Sequence, residues 1–496
     1  MTALHKSSLA LPECAEFRAG SRLVVVSNRV ALPKRASAGG LAPAMLAALA
    51  ERGGLWFGWS GRIITNSQRE LRRQRAGGID YALLDLTEEE YARYYLGFAN
   101  RILWPLLHFR PSLINYSRED FFGYLEVNRQ FAKALAPLLR DDDLVWINDY
   151  HLIPLAAGLR NLGVGARLGF FLHVPLPPPD MLASLPHHEH LFRTLTAYDL
   201  IGLQTRRDLA ALLGYLAVEC GATLSPEQDR YCTAASEPTA IPQTLHGNAA
   251  QRVALPNRRS LKAGVFGIGI DTQQIAHQAA LAERSVATRR LIESLPGRAL
   301  AIGVDRIDYS KGLPQRFEGF GRFLAQHEDW QSRVSFMQIA PPSREEVPEY
   351  HELRERLERI AGAINGRYAQ PDWAPIRYLN RSFSRATLAG FFRVARVGLV
   401  TPLRDGMNLV AKEYVASQPA DDPGVLVLST FAGAADELRQ AIVINPSDPE
   451  DIVEAIDAAL TMRQSERRER WAEMFEHLQR NDVTAWKNAF LTALTP

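Results

Sequence analysis

Short, uninterrupted apolar runs recur along this chain, and each breaks off into polar residues or glycine before a helical stretch begins. Residues 22–27, 144–148, 167–172 and 263–267 hold such runs in the first half, and 299–304, 397–400 and 425–428 in the second, with 199–204, 335–339 and 376–379 continuing the alternation. A strand with one wet face alternates apolar and polar side chains. A run that is apolar throughout belongs to a strand covered on both faces, the setting of a parallel sheet between layers of helices. The alternation of strand, loop and helix therefore predicts an α/β fold, in which ligands gather beyond the carboxyl ends of the strands. At 496 residues the chain exceeds the ~250–300 at which a single core stops growing. Two doubly wound Rossmann-like domains facing each other across a cleft are the expected architecture. The alternation lapses between 221 and 259, where Pro226, Pro238, Pro242 and Pro256 interrupt it, and a boundary falls near 270. The expected divisions are a flexible N-terminal arm over 1–21, a first domain over 22–270, a second over 271–478, and a last helix over 479–496 packing back on the first.

Charge and cysteine content narrow the function. Lys and Arg number 57 against 55 Asp and Glu, a net charge of +2, so no overall field favours nucleic acid or an acidic membrane. Cys14, Cys220 and Cys232 form no CxxC pair and no even framework, which suits a reducing cytoplasm. Residues 1–21 lack the apolar core of a signal peptide, and no apolar run approaches the ~20 residues that span a bilayer. The 12 histidines are scattered and suggest no metal site. No Ser-His-Asp order with a nucleophile elbow, no HExxH and no zinc spacing appears.

The polar residues that end these runs carry the chemistry. Arg29, Asp149 and His173 each lie just past an apolar strand. After Arg29 comes a loop with Lys34, Arg35 and Ala38-Gly39-Gly40, which reads equally as an anion site at a helix start or as a tight turn. A helix from Glu88, capped by Thr87, carries Tyr91, Tyr94, Tyr95 and Trp104, core aromatics by default. In the second half, Arg306, Lys311 and Gly312 come after 299–304, and Arg344 after 335–339. Two cations beside a helix N-terminus can neutralise a diphosphate. Past 397–400, the loop 401–406 supplies Asp405 and Gly406 to a helix over 408–416 with Asn408 or Asp405 near its cap, and Glu413 lies two turns in. On spacing alone this joint reads as well as a plain connection with solvated charges. Taken together, the cations suit a ligand pair with more than one phosphate, and the carboxylates suit sugar hydroxyls. Transfer of a sugar from a nucleotide diphosphate fits both, with fixed Arg and Lys stabilising the leaving charge without a metal.

Eight ordered motifs then carry a resemblance. They are Ser27-Asn28-Arg29, Ala38-Gly39-Gly40-Leu41, Trp56-Phe-Gly-Trp-Ser60, Trp146-Ile-Asn-Asp-Tyr-His-Leu152, Phe171-Leu-His-Val-Pro175, Asp305-Arg-Ile-Asp-Tyr-Ser-Lys-Gly312, Ile339-Ala-Pro-Pro-Ser-Arg344 and Arg404-Asp-Gly-Met-Asn-Leu-Val-Ala-Lys-Glu413. From about residue 22 onward the chain resembles the trehalose-6-phosphate synthase family, glycosyltransferase family 20. The resemblance implies a GT-B fold and a retaining, metal-independent hexosyltransferase without cofactor. It would move glucose from a nucleotide-glucose, most naturally UDP-glucose, to glucose 6-phosphate, and would act in the cytoplasm, with a homo-dimer or tetramer as an open possibility. It implies an acceptor domain over 22–270 and a donor domain over 271–478. On the donor side it implies Arg306 and Lys311 on the diphosphate, Gly40 approaching it through the backbone, Glu413 on the ribose and Phe383 by the nucleobase. Asp405, with the backbone of Gly406, Met407 and Asn408, would hold the donor glucose, helped by His173. Arg306, Lys311, His173 and Asp405 would be the catalytic set. On the acceptor side it implies Arg29, Arg344 and Tyr95 on the 6-phosphate, with Trp59, Trp104 and Asp149 shaping the sugar pocket.

Rival readings keep the fold or silence it. A glucosylglycerol-phosphate synthase would take a smaller acceptor, and a pseudo-glycosyltransferase would join cyclitols. A non-catalytic sugar-phosphate sensor would need only one of the two sites. Trp59, Tyr95, Trp104 and Arg344 favour a hexose phosphate acceptor, and the intact Arg306, Lys311, Asp405 and Glu413 favour an enzyme. The leader and the span 221–259 match the family poorly. The choice of UDP over ADP or GDP stays open at this level.

Overall fold

The structure, a computed structural model, describes residues 21–32, 41–65, 70–224, 250–256, 258–344 and 346–495. Gly40, with Lys34, Arg35 and Gly39, lies outside the described residues, as does 225–249 of the proline-rich span.

Two sheets organise the chain. The first has 10 strands in the order β3-β4-β2-β1-β5-β6-β7-β10-β9-β8. In sequence these are β1 (Leu23–Arg29), β2 (Gly54–Ile64), β3 (Arg72–Ala76), β4 (Ile79–Thr87), β5 (Leu144–Asn148), β6 (Arg167–Phe171), β7 (Leu200–Leu203), β8 (Thr223–Leu224), β9 (Gln251–Ala254) and β10 (Ser260–Val265). From β4 to β10 every pairing is parallel, while β3, β8 and β9 add antiparallel edges. The second sheet has 6 strands in the order β13-β12-β11-β14-β15-β16. These are β11 (Ala299–Val304), β12 (Val334–Ile339), β13 (Ile376–Leu379), β14 (Val397–Val400), β15 (Val425–Ser429) and β16 (Ile442–Ile444), all parallel. In both sheets the chain winds outward one way from a central strand and then the other. The strand order reverses between β1 and β5, and again between β11 and β14. Those reversals open a crevice at the carboxyl ends, where α/β proteins bind ligands. Arg29, Asp149, the loop after Val304 and the loop after Val400 all stand there.

The α/β pattern holds, with local differences. The helix capped by Thr87 begins as expected, with a reciprocal Thr87–Glu90 capping box. Across Tyr91–Leu103 it then widens, so that the Trp104 N–H reaches back five residues to the Ala99 carbonyl. The wider turn sets Tyr91 and Tyr95 in line, ring centroids 5.4 Å apart. The helix expected near Leu152 begins at Leu155, after a short tight turn over Tyr150–Leu152, with Pro154 at its cap. Asn408 stands at the cap of the helix Leu409–Ser417, but in a left-handed backbone (φ 71°) and without a capping hydrogen bond. Its side chain turns to Asp405 instead.

Apolar clusters fill the outer face of each sheet, and a third runs from the inner face of the first sheet to that of the second. The last helix, Val483–Leu494, belongs to this shared cluster. Its Phe490 is fully buried, stacks on Trp146 at 4.6 Å and meets Phe171 edge-on at 5.5 Å. Its Lys487 pairs with Glu51. Among the described residues no helix is long and apolar enough to cross a membrane.

Truncating Phe490 would leave a cavity against β5 and β6. Phe490→Ala is expected to cost ~3–5 kcal/mol, read as a lowered urea midpoint by circular dichroism. An unchanged midpoint would mean that the last helix is not held by this contact.

Candidate active site

The loop between β11 and the helix Leu313–Gln326 is built around a buried carboxylate. Asp308 is fully buried. Its Oδ1 accepts the Ser310 N–H at 3.0 Å, and its Oδ2 takes Arg344 Nη1 at 3.4 Å and the Tyr350 hydroxyl at 3.3 Å. Burial alone would raise this carboxyl, but the charges of Arg344, Arg306 and Lys311 outweigh it and hold the group down to about 2. Asp308 thus stays ionised and ties the loop carrying Arg306 and Lys311 to the loop carrying Arg344. The turn closes at Gly312 (φ 65°), where an added Cβ would lie 2.2 Å from the Thr401 carbonyl oxygen, so only glycine fits.

Arg344 reaches first-half residues. Its Nη1 donates to Tyr350 at 2.5 Å and its Nη2 to the Tyr150 hydroxyl at 3.4 Å. Its guanidinium carbon lies 3.8 Å from the centre of the Trp104 ring, and that of Arg306 lies 6.0 Å from it. The buried Trp104 Nε1 has no partner among the described residues, a donor left available to a ligand.

At the loop after β14, Lys311 Nζ meets Asp405 Oδ2 at 2.5 Å, and Asn408 Nδ2 donates to the same oxygen at 3.0 Å. Asn408 Oδ1 is buried without a partner among the described residues. Gly406 packs so tightly on the first half that an added Cβ would stand 2.1 Å from the His173 carbonyl oxygen. Met407 is buried, its carbonyl accepting the Ala434 N–H at 2.9 Å.

Arg29, Trp59 and Tyr95 form a neighbouring group. The Arg29 guanidinium lies 5.7 Å from the Trp59 ring, Trp59 and Tyr95 centroids are 5.7 Å apart, and Tyr95 stacks on His151 at 5.9 Å. His151 adjoins Tyr150 and so joins this group to Arg344. Phe383 meets Phe391 edge-on at 5.4 Å. Burial raises the Glu413 carboxyl, against the charge of Arg385.

His173 is held differently from the rest. The Gln204 amide oxygen accepts the Ile268 N–H, so its NH₂ faces His173 Nδ1 at 3.4 Å. Nδ1 is then the acceptor, and Nε2 carries the hydrogen toward Asn148 Oδ1 at 3.1 Å. Burial pushes the imidazole down to about 3. Both ring nitrogens are engaged by the first half, which leaves the His173 backbone as the part that faces Gly406. Asp149 takes a left-handed backbone (φ 76°) and accepts the His173 N–H at 3.2 Å. Burial raises its carboxyl to about 6, against the N–H groups of Tyr150 and His173 and the charge of Arg344.

Two residues that sequence reasoning passed over border this site. Asp308 lies within one of the eight motifs but had no role there. His108 lies one helical turn beyond Trp104, a spacing that could have drawn notice. Elsewhere, His188, Glu189 and Glu219 come close enough to share an ion, but Arg193 lies 3.6 Å and 3.4 Å from the two carboxylates.

Known proteins resemble this chain over nearly its whole length. The model of glycosyltransferase family 20 matches residues 21–496. A trehalose-6-phosphate synthase of Sinorhizobium fredii is 46% identical over 480 residues, covering 96% of this chain and 98% of its own. The crystal structure of a UDP-forming alpha,alpha-trehalose-phosphate synthase from Burkholderia xenovorans in complex with glucose-6-phosphate is 43% identical, with a TM-score of 0.88 over 96% of this chain and 100% of the other. An E. coli structure bound with UDP-2-fluoro glucose is 42% identical, with a TM-score of 0.87 over 96% and 99%.

The raised Asp149 carboxyl gives stability a defined pH dependence. An unfolded Asp loses its proton near pH ~4, whereas the folded one keeps it to about 6. Stability therefore falls as pH rises through that window, and the penalty is complete above it. Asp149→Asn is expected to be ~1–3 kcal/mol more stable than the parent at about pH 7.5 and no different near pH ~4, measured by thermal denaturation across pH. A gain independent of pH would sink this account.

Proposed function

We infer the chemistry of this cleft from one premise, that the chain belongs to glycosyltransferase family 20. It transfers glucose from UDP-glucose to glucose 6-phosphate, giving α,α-trehalose 6-phosphate and UDP. One observation carries the assignment of the site. Donor-side Arg306 and Lys311 and acceptor-side Arg344 converge on a single buried carboxylate, Asp308, so the two substrates meet where these loops are joined.

Each role rests on the chemistry of its group. Arg306 and Lys311 hold the donor diphosphate and stabilise the charge it gains on leaving. Lys311, already paired with Asp405, places its ammonium between diphosphate and sugar. Asp405, Asn408 and the backbone of Gly406 and Met407 hold hydroxyls of the donor glucose. Glu413 takes the ribose hydroxyls beside Phe383. Arg344 and Arg29, with Tyr95 and Trp59, clamp the 6-phosphate of the acceptor, and Trp104 and Asp149 line its ring. Gly40, which the family resemblance assigns to the donor diphosphate, lies outside the described residues.

Transfer retains the anomeric configuration. The glucosyl C1–O bond to the diphosphate breaks, the acceptor 1-hydroxyl attacks from the same face, and its proton passes to the departing phosphate oxygen. Lys311 and Asn408 occupy Asp405, which suits it to binding hydroxyls rather than attacking carbon. His173 contributes through its carbonyl and its packing on Gly406, since its ring nitrogens are engaged. The domains divide accordingly, with the acceptor half over 22–270 and the donor half over 271–478. We place the enzyme in the cytoplasm.

Purified protein is expected to release UDP from UDP-glucose only when glucose 6-phosphate is present, with a disaccharide phosphate seen by mass spectrometry. A folded protein that turns over no nucleotide-glucose would end the enzyme reading, and a product built on glycerol phosphate would redirect it. For the clamp, Arg344→Ala should raise the acceptor KM ~10²-fold, the value of a charge-assisted pair, and change the donor KM far less. An unchanged acceptor KM would remove Arg344 from the 6-phosphate site.

A further inference from the structure

His108 ends the helical turn that starts at Trp104, and the transfer reaction makes no use of it. It is 3% exposed. Its ring centroid lies 4.0 Å from that of Trp104, and its Nδ1 lies 2.8 Å from the Trp104 carbonyl oxygen. A carbonyl can only accept, so Nδ1 carries the hydrogen and Nε2 presents a lone pair. Burial pushes the group down to about 4, and the imidazole is neutral near pH ~7. Nε2 has no hydrogen-bond partner among the described residues. The residue keeps only slight exposure, and an acceptor without a donor in so closed a place calls for a donor that the protein does not supply.

The surroundings say which donor. The charged groups that act on His108 are Asp308, Lys311 and Asp405, the three about which the two substrate sites join. Phe109, the next residue, lies with its ring centre 4.0 Å from the guanidinium carbon of Arg404, which adjoins Asp405. To reach it, Phe109 adopts a left-handed backbone (φ 59°), a strained state for a bulky residue. The chain at 108–109 is thus pressed against the chain at 404–405. A phosphate has only acceptor oxygens to offer a lone pair and would be repelled. A sugar hydroxyl offers the missing hydrogen.

We propose that His108 is a substrate-binding residue whose Nε2 accepts a hydrogen bond from a ring hydroxyl of the glucose held between Trp104 and Asp405. This rests on the synthase reading. The donor glucose and the acceptor glucose share this hydroxyl chemistry, and deoxy analogues of each tell them apart.

The test pairs two variants with two analogue series. His108→Phe keeps an aromatic ring against Trp104 and removes the acceptor, while His108→Gln offers an amide oxygen near the position of Nε2. With both variants melting within a few degrees of the parent, His108→Phe is expected to lose ~10–100-fold in kcat/KM and His108→Gln to recover part of it. The parent should discriminate by a similar factor against one deoxy analogue, either of UDP-glucose or of glucose 6-phosphate. His108→Phe should treat that analogue and its parent sugar alike. Full activity in His108→Phe would overturn the proposal, as would a loss in which every analogue is discriminated just as before. Calorimetric titration with UDP-glucose and with glucose 6-phosphate reads the same contact without turnover. Failure of the parent enzyme to transfer glucose would strike the synthase reading, whereas unweakened binding of both sugars by His108→Phe would strike this one.

Discussion

One buried guanidinium holds the second-sheet half of the site in register. Arg316 is fully buried and bonds to Asp305 Oδ2 at 2.8 Å, Gln338 Oε1 at 2.8 Å and Thr401 Oγ1 at 2.9 Å. Those partners stand at the carboxyl ends of β11, β12 and β14, the three strands whose loops carry Arg306 and Lys311, Arg344, and Asp405. A charge buried alone is costly, and removing one partner of a buried pair typically costs ~3–5 kcal/mol. Here the cost is offset because the planar fork finds an acceptor on each strand. Gly303 makes room for it: an added Cβ would lie 2.4 Å from Gln338 Oε1 and 2.6 Å from Arg316 Nη1. The strand ends are thereby fixed relative to one another before any substrate arrives.

Above that anchor, the site matches its own charges in a way that prepares it for phosphate. Lys311 pairs with Asp405 and Arg344 with Asp308, so the cations keep their places without a ligand. These pairs are not equivalent. Asp308 is sealed and stays ionised, so Arg344 would keep its anchor on binding the phosphate proposed for it. Asp405 is partly open and shares one oxygen between Lys311 and Asn408, an arrangement that sugar hydroxyls can enter. Preorganised charge of this kind needs no rearrangement as the leaving diphosphate develops its own.

Most of the parallel strands were legible because burial on two faces writes itself as a nearly unbroken apolar run, although β4 and β16 were not read, and the polar residues ending those runs marked the crevice. Less was legible where the physical signal is weak or shared. Edge strand β3 reads Arg72-Arg-Gln-Arg-Ala76, a charged sequence that guards a sheet edge and does not resemble a strand. The widened helix at Tyr91–Leu103 has the composition of an ordinary one. Asn408 has the identity of a cap, yet its side chain serves Asp405. The roles of Asp405 and Glu413 were ambiguous by spacing and came from resemblance. The engagement of both His173 nitrogens depends on Gln204 and Ile268, residues distant in sequence, and no local pattern could announce it. Asp308 was hidden by being one acid among several in a charged loop, since its burial is a tertiary fact.

Close approach of backbone to backbone is also why the halves meet through glycine. The loop after β14 must bring Asp405 to the cleft while lying against the first half. Gly406 achieves this at the His173 carbonyl, and Gly433 repeats it one layer on, where an added Cβ would stand 2.0 Å from the Gly406 carbonyl oxygen. The Asp405 N–H donates to the Phe431 carbonyl and the Gly433 N–H to the Asp405 carbonyl, so this approach is hydrogen-bonded as well as close. A side chain at Gly406 would force the loop off the first half by about an ångström, the gap between 2.1 Å and ordinary contact. Positioned groups lose most of their effect over such a distance. The rigid ring of His173, held at both nitrogens, then has a clear purpose. It fixes the carbonyl against which Gly406 rests, and through that contact the first sheet helps set where Asp405 stands.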